Sequence, residues 1–407
     1  LNPAKQIIII GNGAAGIEAA RTIREINKNI KIFIFSEEYY HFYSRIHLST
    51  FIRGNQPIEE LYIYPPSWYK QNNIQVNLHT PIADISSGKK LIKDIFGNFY
   101  SYDSLIIASG ARPFLPRILG METRGVFSLR NLKDAFDILE FAPQCRTAVI
   151  LGGGILGIES ASSLNKAGLK VTVIEQNEQI MSQQLDLKGA HVLQNILEKE
   201  GISFRLSSKI TRITGQKTIH SIQLESGENI QSHMLLLSTG IQSNLELGKK
   251  AGIFVNKGIL VDRHMRTNKS SIFAAGDVAE INGKILGIWP AAVEQGEIAA
   301  KNALGLDSVY QETLPLHILK VAGIDLTSLG KKYSQSPIEK EIIHISYEKK
   351  QYIKIIHNSE FLLGAIILGI RGIGYRLEKI IKKKQPVKDL LPDLENSNWE
   401  NLKKKKL

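Results

Sequence analysis

Six glycines in two equal spacings set the chemistry open to this chain. Gly11, Gly13 and Gly16 form G-x-G-x-x-G, and Gly152, Gly154 and Gly157 repeat it. Glycines so placed allow a tight turn and let backbone N–H groups approach a pyrophosphate, whose charge a helix N-terminus favours. An acid follows each set. Glu37 lies 21 residues after Gly16, and Glu175 ends the run "KVTVIE"; a carboxylate at a strand end can accept from ribose hydroxyls. At the second position it repels a 2′-phosphate, and Gln176 and Asn177, rather than arginine, come next. The second site is therefore expected to prefer NADH over NADPH. Further on, "FAAGDVAE" ends an apolar run in Gly276 and Asp277. That pair is a common turn, but it also suits a carboxylate delivered to a polyol such as a flavin ribityl chain.

These residues need elements to hold them. "KQIIIIGNGAAGIEAARTI" is a continuous apolar run, a glycine turn and an alanine-rich helix, and "KIFIFSEE" is the next strand. Continuous apolar runs belong to strands buried on both faces of a parallel sheet. The unit returns about 140 residues later in "RTAVILGGGILGIESASSLNKAGLKVTVIEQ", so two nucleotide-binding domains are expected. "YDSLIIASGARPFLP" reads as a strand and crossover after the first unit, and "MLLLSTG", ending at Gly240, closes the second. "WPAAVEQGEIAAKNALG" reads as a helix with proline in its first turn. From about residue 310 the pattern alternates, as in an antiparallel sheet, and "GIGYRLEKIIKKK" supplies a closing helix. The expected fold is α/β, with two Rossmann-like nucleotide-binding domains and a C-terminal α+β domain. Its divisions are 1–116 with 244–309, then 117–243, then 310–407.

Composition narrows the classes. The chain has 407 residues, 43% hydrophobic and 22% charged, in the range of soluble globular proteins. No apolar run reaches the roughly 18 residues of a membrane span, and no leader pattern opens the sequence, so a cytoplasmic setting is expected. The single cysteine, Cys145, excludes an intramolecular disulfide and reads as structural. The net charge of +12 would attract acidic partners. Nucleic acid is not expected, because no basic cluster is interleaved with aromatic residues.

The order of motifs resembles the FAD-dependent pyridine nucleotide–disulfide oxidoreductase superfamily over nearly the whole chain: first glycine loop, "ASG", second glycine loop, "STG", "GD". "HFYSRIHLSTFIRG", "EQNEQIMSQQLD" and "LKVAGIDLTSLG" are similar to its rubredoxin reductase and nitrite reductase flavin-subunit branch. The resemblance implies FAD on the first unit and NAD(P)H on the second. It assigns Gly11, Gly13, Ala14, Gly16 and Glu37 to the FAD adenosine and pyrophosphate, and Ile82 to adenine. Arg45 is placed near the isoalloxazine, with Glu159 pairing to it. Ser109, Gly110 and Arg112 fall in the crossover that contacts flavin, and Asp277 at the ribityl chain. Trp289 and Pro290 start the helix facing the pyrimidine edge, and Lys320 approaches the same ring. Three residues depart from the pattern: Ile46 and Ser243, where proline is usual, and Thr50, where some relatives have a second basic residue.

Thiol-dependent members carry a redox cysteine near residues 41–54, and this stretch has no sulfur. Disulfide and thiol-peroxidatic chemistry thereby lose their agent. The expectation is an NADH-dependent flavoprotein that passes electrons directly to an acidic rubredoxin- or ferredoxin-type carrier or to a partner redox subunit. A homo-oligomer formed through the C-terminal domain is also implied. Two alternatives remain open: a binding protein like the apoptosis-inducing-factor relatives, and an NADH oxidase using oxygen.

Overall fold

Four consecutive isoleucines explain the first element. In the strand Gln6–Ile10 none of Ile7, Ile8, Ile9 and Ile10 is more than 6% exposed, which requires both faces of the sheet to be covered. The computed structural model describes residues 5–311, 316–396 and 398, without the side chains of 317–319. Ile7 and Ile9 join a core with the helices Ala14–Ile26 and Trp289–Ala303. Ile8 and Ile10 face the other way, onto Ile82, Ile85 and Ile92 of a small antiparallel sheet and onto Leu245 and Ile253.

The chain divides into two compact units. The first comprises Leu1–Ile46, Gln56–Phe114 and Gly240–Thr313. Its main sheet is parallel, in the order Ile272–Ala274, Ser104–Ile107, Gln6–Ile10, Lys31–Phe35, Ile74–Asn77. The helices Ala14–Ile26 and Trp289–Ala303 cross closely, since a Cβ on Gly296 would stand 2.3 Å from the Ala15 carbonyl oxygen. Proline does stand in the first turn of the second of these helices.

The second unit comprises His47–Asn55, Leu115–Thr239 and Leu314–Leu407. It repeats the parallel design, in the order Ser203–Arg205, Lys170–Ile174, Thr147–Leu151, Met234–Leu237, Val126–Ser128. The antiparallel C-terminal sheet runs Leu316–Val321, Ile324–Gly330, Leu362–Leu368, Gln351–His357, Lys340–Ser346. The helix Gly374–Lys382 covers one of its faces, packing Leu377 and Ile380 with Ile353, Ile355 and Ile367. Both parallel sheets and the C-terminal domain are as the sequence led one to expect. The turn Leu48–Phe51 belongs to this unit, with the Phe51 ring edge-on to Phe136 at 5.7 Å. Among the described residues no helix is long and apolar enough to cross a membrane.

Candidate functional site

The first loop leaves its strand at Gly11, with φ +114, where a Cβ would sit 2.1 Å from the Ala108 carbonyl oxygen. A Cβ on Gly16 would lie 2.0 Å from the Gly11 carbonyl oxygen, so helix and turn close on each other. Gly13, by contrast, faces open space. It N-caps the helix beginning at Ala14, and no side chain caps that end, leaving the N–H groups of the first turn for an anion. Two buried polar atoms beside the loop lack a hydrogen-bond partner: Asn12 Nδ2 and Ser109 Oγ. Uncapped N–H groups, open space at Gly13 and two orphaned polar atoms fit the phosphate end of a dinucleotide. Tyr69, 2% exposed, braces the loop by donating to Asn12 Oδ1 at 3.1 Å and accepting from the Phe42 N–H at 3.1 Å.

Of the other expected residues in this unit, Gly276 packs against the start of the helix that follows the loop. A Cβ on Gly276 (φ +81) would be 3.0 Å from Ala15 Cβ, and the Gly276 N–H donates to buried Gln295 Oε1 at 2.8 Å. The Asp277 carbonyl accepts from Ser243 Oγ at 2.6 Å, so the hydroxyl that replaces an expected proline holds the turn. Asn244 Nδ2 donates to the Ser109 carbonyl at 2.8 Å, and the Asn244 N–H to that of Gly110 at 3.0 Å. Arg112 pairs with Glu246 at 2.7 Å and is half-exposed. Gly240, with φ +98, accepts from the Phe114 N–H. Trp289 stacks on Phe42 with centroids 5.5 Å apart, and Pro290 is exposed. Ile82 is buried in its strand opposite Asp94.

Two local details differ from a reading by spacing. The residue that directly follows the strand Lys31–Phe35 is Ser36, and Glu37 stands one place further, exposed. The neighbouring Glu38, which the spacing did not single out, accepts from Tyr43 Oη at 2.5 Å and forms an ion pair with Arg45.

In the second unit the same closeness recurs: a Cβ on Gly152 (φ +113) would sit 2.2 Å from the Ser238 carbonyl oxygen, and one on Gly157 2.0 Å from that of Gly152. Gly154 is the uncapped N-cap, facing open space. Glu175 directly follows its strand. Its Oε2 accepts from the Gly153 N–H at 2.6 Å, and its Oε1 from Asn177 through N–H and Nδ2. The acid thus fixes the loop.

Glu159 Oε1 accepts from the Ala322 N–H at 2.9 Å. Burial pushes its carboxyl above the usual value, against the lowering effect of that N–H. Lys320, two residues before Ala322, is exposed. Arg45 lies in the first unit, Glu159 and Lys320 in the second. Cys145 precedes the strand Thr147–Leu151, at the end opposite the Gly152 loop, and burial raises its thiol to about 11. It has neither the position nor the ionisation of a redox thiol.

Residues 5–296 match the family described as "Pyridine nucleotide-disulphide oxidoreductase", and residues 315–385 match "Rubredoxin NAD+ reductase C-terminal domain". The chain is 32% identical over 387 residues to "Nitrite reductase [NAD(P)H]" of Bacillus subtilis, covering 95% of this chain and 48% of that protein. It is 32% identical over 329 residues to the "Assimilatory nitrate reductase electron transfer subunit" of the same organism, covering 80% and 43%. The chain thus spans about half the length of these two relatives. The crystal structure of NADH:rubredoxin oxidoreductase from Clostridium acetobutylicum is similar at 32% identity and a TM-score of 0.77, covering 93% of this chain and 95% of that one. The fold and the paired loops define a two-dinucleotide flavoprotein. The chain belongs to the pyridine nucleotide-disulphide oxidoreductase family, whose cofactors are FAD and a nicotinamide nucleotide.

Proposed function

We propose that the protein takes electrons from NADH onto FAD and hands them to a small electron-carrier protein of the rubredoxin or ferredoxin type, or to a partner redox subunit. One observation carries the reading: two complete dinucleotide loops accompany a lone thiol at the wrong end of its sheet, protonated at neutral pH. The names of the nitrate reductase subunit and the rubredoxin oxidoreductase support it.

FAD, when bound, supplies the exchange between two-electron uptake and single-electron delivery. The protein's task is to position and to set the field. Gly11, Gly13, Ala14 and Gly16 hold the FAD pyrophosphate, with Glu37 on the ribose and Ile82 against adenine. Ser109, Gly110 and Arg112 contact the flavin, Asp277 the ribityl chain, and Trp289 with Pro290 the pyrimidine edge. Arg45, oriented by Glu38, offers positive charge to the reduced ring, and the resemblance gives Glu159 and Lys320 catalytic roles as well. Gly152, Gly154, Gly157 and Glu175 take NADH, and Gly240 shapes the return crossover. The division into 1–116 with 244–309, 117–243 and 310–407 assigns FAD, NADH and the partner-facing domain. An acidic carrier would be drawn to a chain of net charge +12.

The test is stopped-flow reduction of the purified flavoprotein by NADH, followed by reoxidation with rubredoxin, a [2Fe–2S] ferredoxin or air. Carrier reduction near the rate of flavin reduction is expected. Reoxidation faster by oxygen than by every carrier would overturn the reading in favour of an oxidase.

A further inference from the structure

The segment Met181–Asp186 lies between the strand Lys170–Ile174 and the helix Leu187–Lys199, and both of its ends are tied. At one end Met181, held at φ +54, donates its N–H to the Gly153 carbonyl oxygen at 2.8 Å. Gly153 gives its own N–H to Glu175, so its two peptide groups are fixed by two different elements. At the other end Asp186 caps the helix, with Oδ1 accepting from the Gly189 N–H at 3.1 Å. Its Oδ2 accepts from Tyr352 Oη at 2.7 Å and from Lys354 Nζ at 3.2 Å.

Tyr352 and Lys354 belong to the C-terminal sheet. The Lys354 and Asp186 side chains are each only 4% exposed, and Lys354 also reaches Glu341 at 3.1 Å. In register, Lys354 stands beside Ile366 and Ile366 beside Ser328. Ser328 Oγ donates to the Gln184 carbonyl, and Lys332 Nζ to that of Ser182. A Cβ on Gly189 would come within 2.9 Å of the Tyr352 ring, so the sheet sits hard against the start of the helix. A buried ion pair adds little stability over an apolar pair of the same shape, and its best-attested use is to set register.

We propose that Met181–Asp186 is a transmission segment. It joins the loop at Gly153 to the C-terminal sheet through Asp186 and Lys354, so that nucleotide on the loop and the seating of the sheet reinforce each other. The inference rests on the second loop taking the nicotinamide nucleotide. Such a linkage is reciprocal: whatever fixes the loop fixes the sheet, and loosening the sheet weakens the nucleotide. Asp186 and Lys354 act here as positioning residues.

The test is hydrogen–deuterium exchange of the FAD-loaded full chain with and without NAD+, alongside NAD+ titration. NAD+ is expected to slow exchange across Gly152–Gly157 and also in the strands Ile324–Gly330 and Gln351–His357. In the double variant Asp186→Asn/Lys354→Met both buried charges go and an asparagine cap remains. There the loop should still be protected while protection of the sheet disappears, and the Kd for NAD+ should rise about fivefold. If the double variant does not fold, Asp186→Asn alone is read in the same way, since Lys354 keeps Glu341. A protected loop with an unaffected sheet in the wild type, or a variant that transmits as the wild type does, overturns the inference. A wild-type loop that NAD+ leaves unprotected instead overturns the assignment of the nucleotide to that loop, and the inference with it.

Discussion

The two glycine loops, GNGAAGIEAA from Gly11 and GGGILGIESA from Gly152, share a backbone and differ in what holds it. Their first glycines have φ +114 and +113, and a Cβ on either third glycine would fall 2.0 Å from the first glycine's carbonyl oxygen. The second position separates them. Asn12 is braced by Tyr69, a buried residue of the same unit, whereas Gly153 is gripped by Glu175 and by Met181. A side chain at Gly153 would meet Glu175 and Ile180 at 3.2 Å. The eighth position separates them again. Buried Glu18 pairs with Arg21, one turn along its own helix, while Glu159 reaches the Ala322 N–H of the C-terminal sheet. The motif dictates the turn; its neighbours decide whether a loop is self-contained or wired to other parts. Self-containment suits a cofactor that stays, and wiring suits a nucleotide that comes and goes.

The largest test of this contrast exchanges the third glycines. A valine at either place would put Cβ 2.0 Å from a carbonyl oxygen. Gly16→Val should yield colourless protein, and Gly157→Val yellow protein reduced by NADH at least about 100-fold more slowly, through the loss of one set of preorganised phosphate donors. Absorbance and stopped-flow traces check both, and normal reduction of the Gly157→Val protein would dissolve the division of labour. Next in size, Glu175→Ala frees Gly153 and should raise the KM for NADH by about 10-fold or more, as expected for a hydrogen bond to a charged group, and narrow the preference over NADPH. Tyr69→Phe, which removes a neutral donor from Asn12 and a neutral acceptor from the Phe42 N–H, should weaken FAD by about fivefold, read by flavin titration of the apoprotein.

The smallest effect concerns pH. The Glu159 carboxyl titrates higher folded than unfolded, so its contribution to stability is present at low pH and is lost as pH rises through the folded value. Glu159→Gln keeps an acceptor for Ala322 and removes the desolvated charge. Its melting point should exceed that of the wild type by about 1–2 °C at pH 7, with the gap closing as the wild-type carboxyl protonates in acid. A gap that widens in acid would mean the carboxylate is the favoured form.

Local pattern made the frame legible. Isoleucine runs announced strands covered on both faces, glycine spacing announced both turns, and Trp289–Pro290 announced a helix start. Side-chain partners distant in sequence left no such trace. Glu38 is as acidic as Glu37 on paper, and only the fold shows that it holds Tyr43 and Arg45. Lys354 reads as one more charge in "QYIKIIH", yet it is buried on Asp186, 168 residues earlier. The turn Leu48–Phe51 packs with the second unit because Phe51 finds Phe136, a match of shape that periodicity cannot express.

The placement of Cys145 has a practical side. With its thiol raised to about 11, only about one molecule in a thousand would carry a thiolate at pH 8, against a sizeable fraction for an ordinary surface cysteine. A single cysteine engineered onto either unit would therefore outcompete it for maleimide dyes or spin labels. The native chain already serves as the blank background such labelling needs.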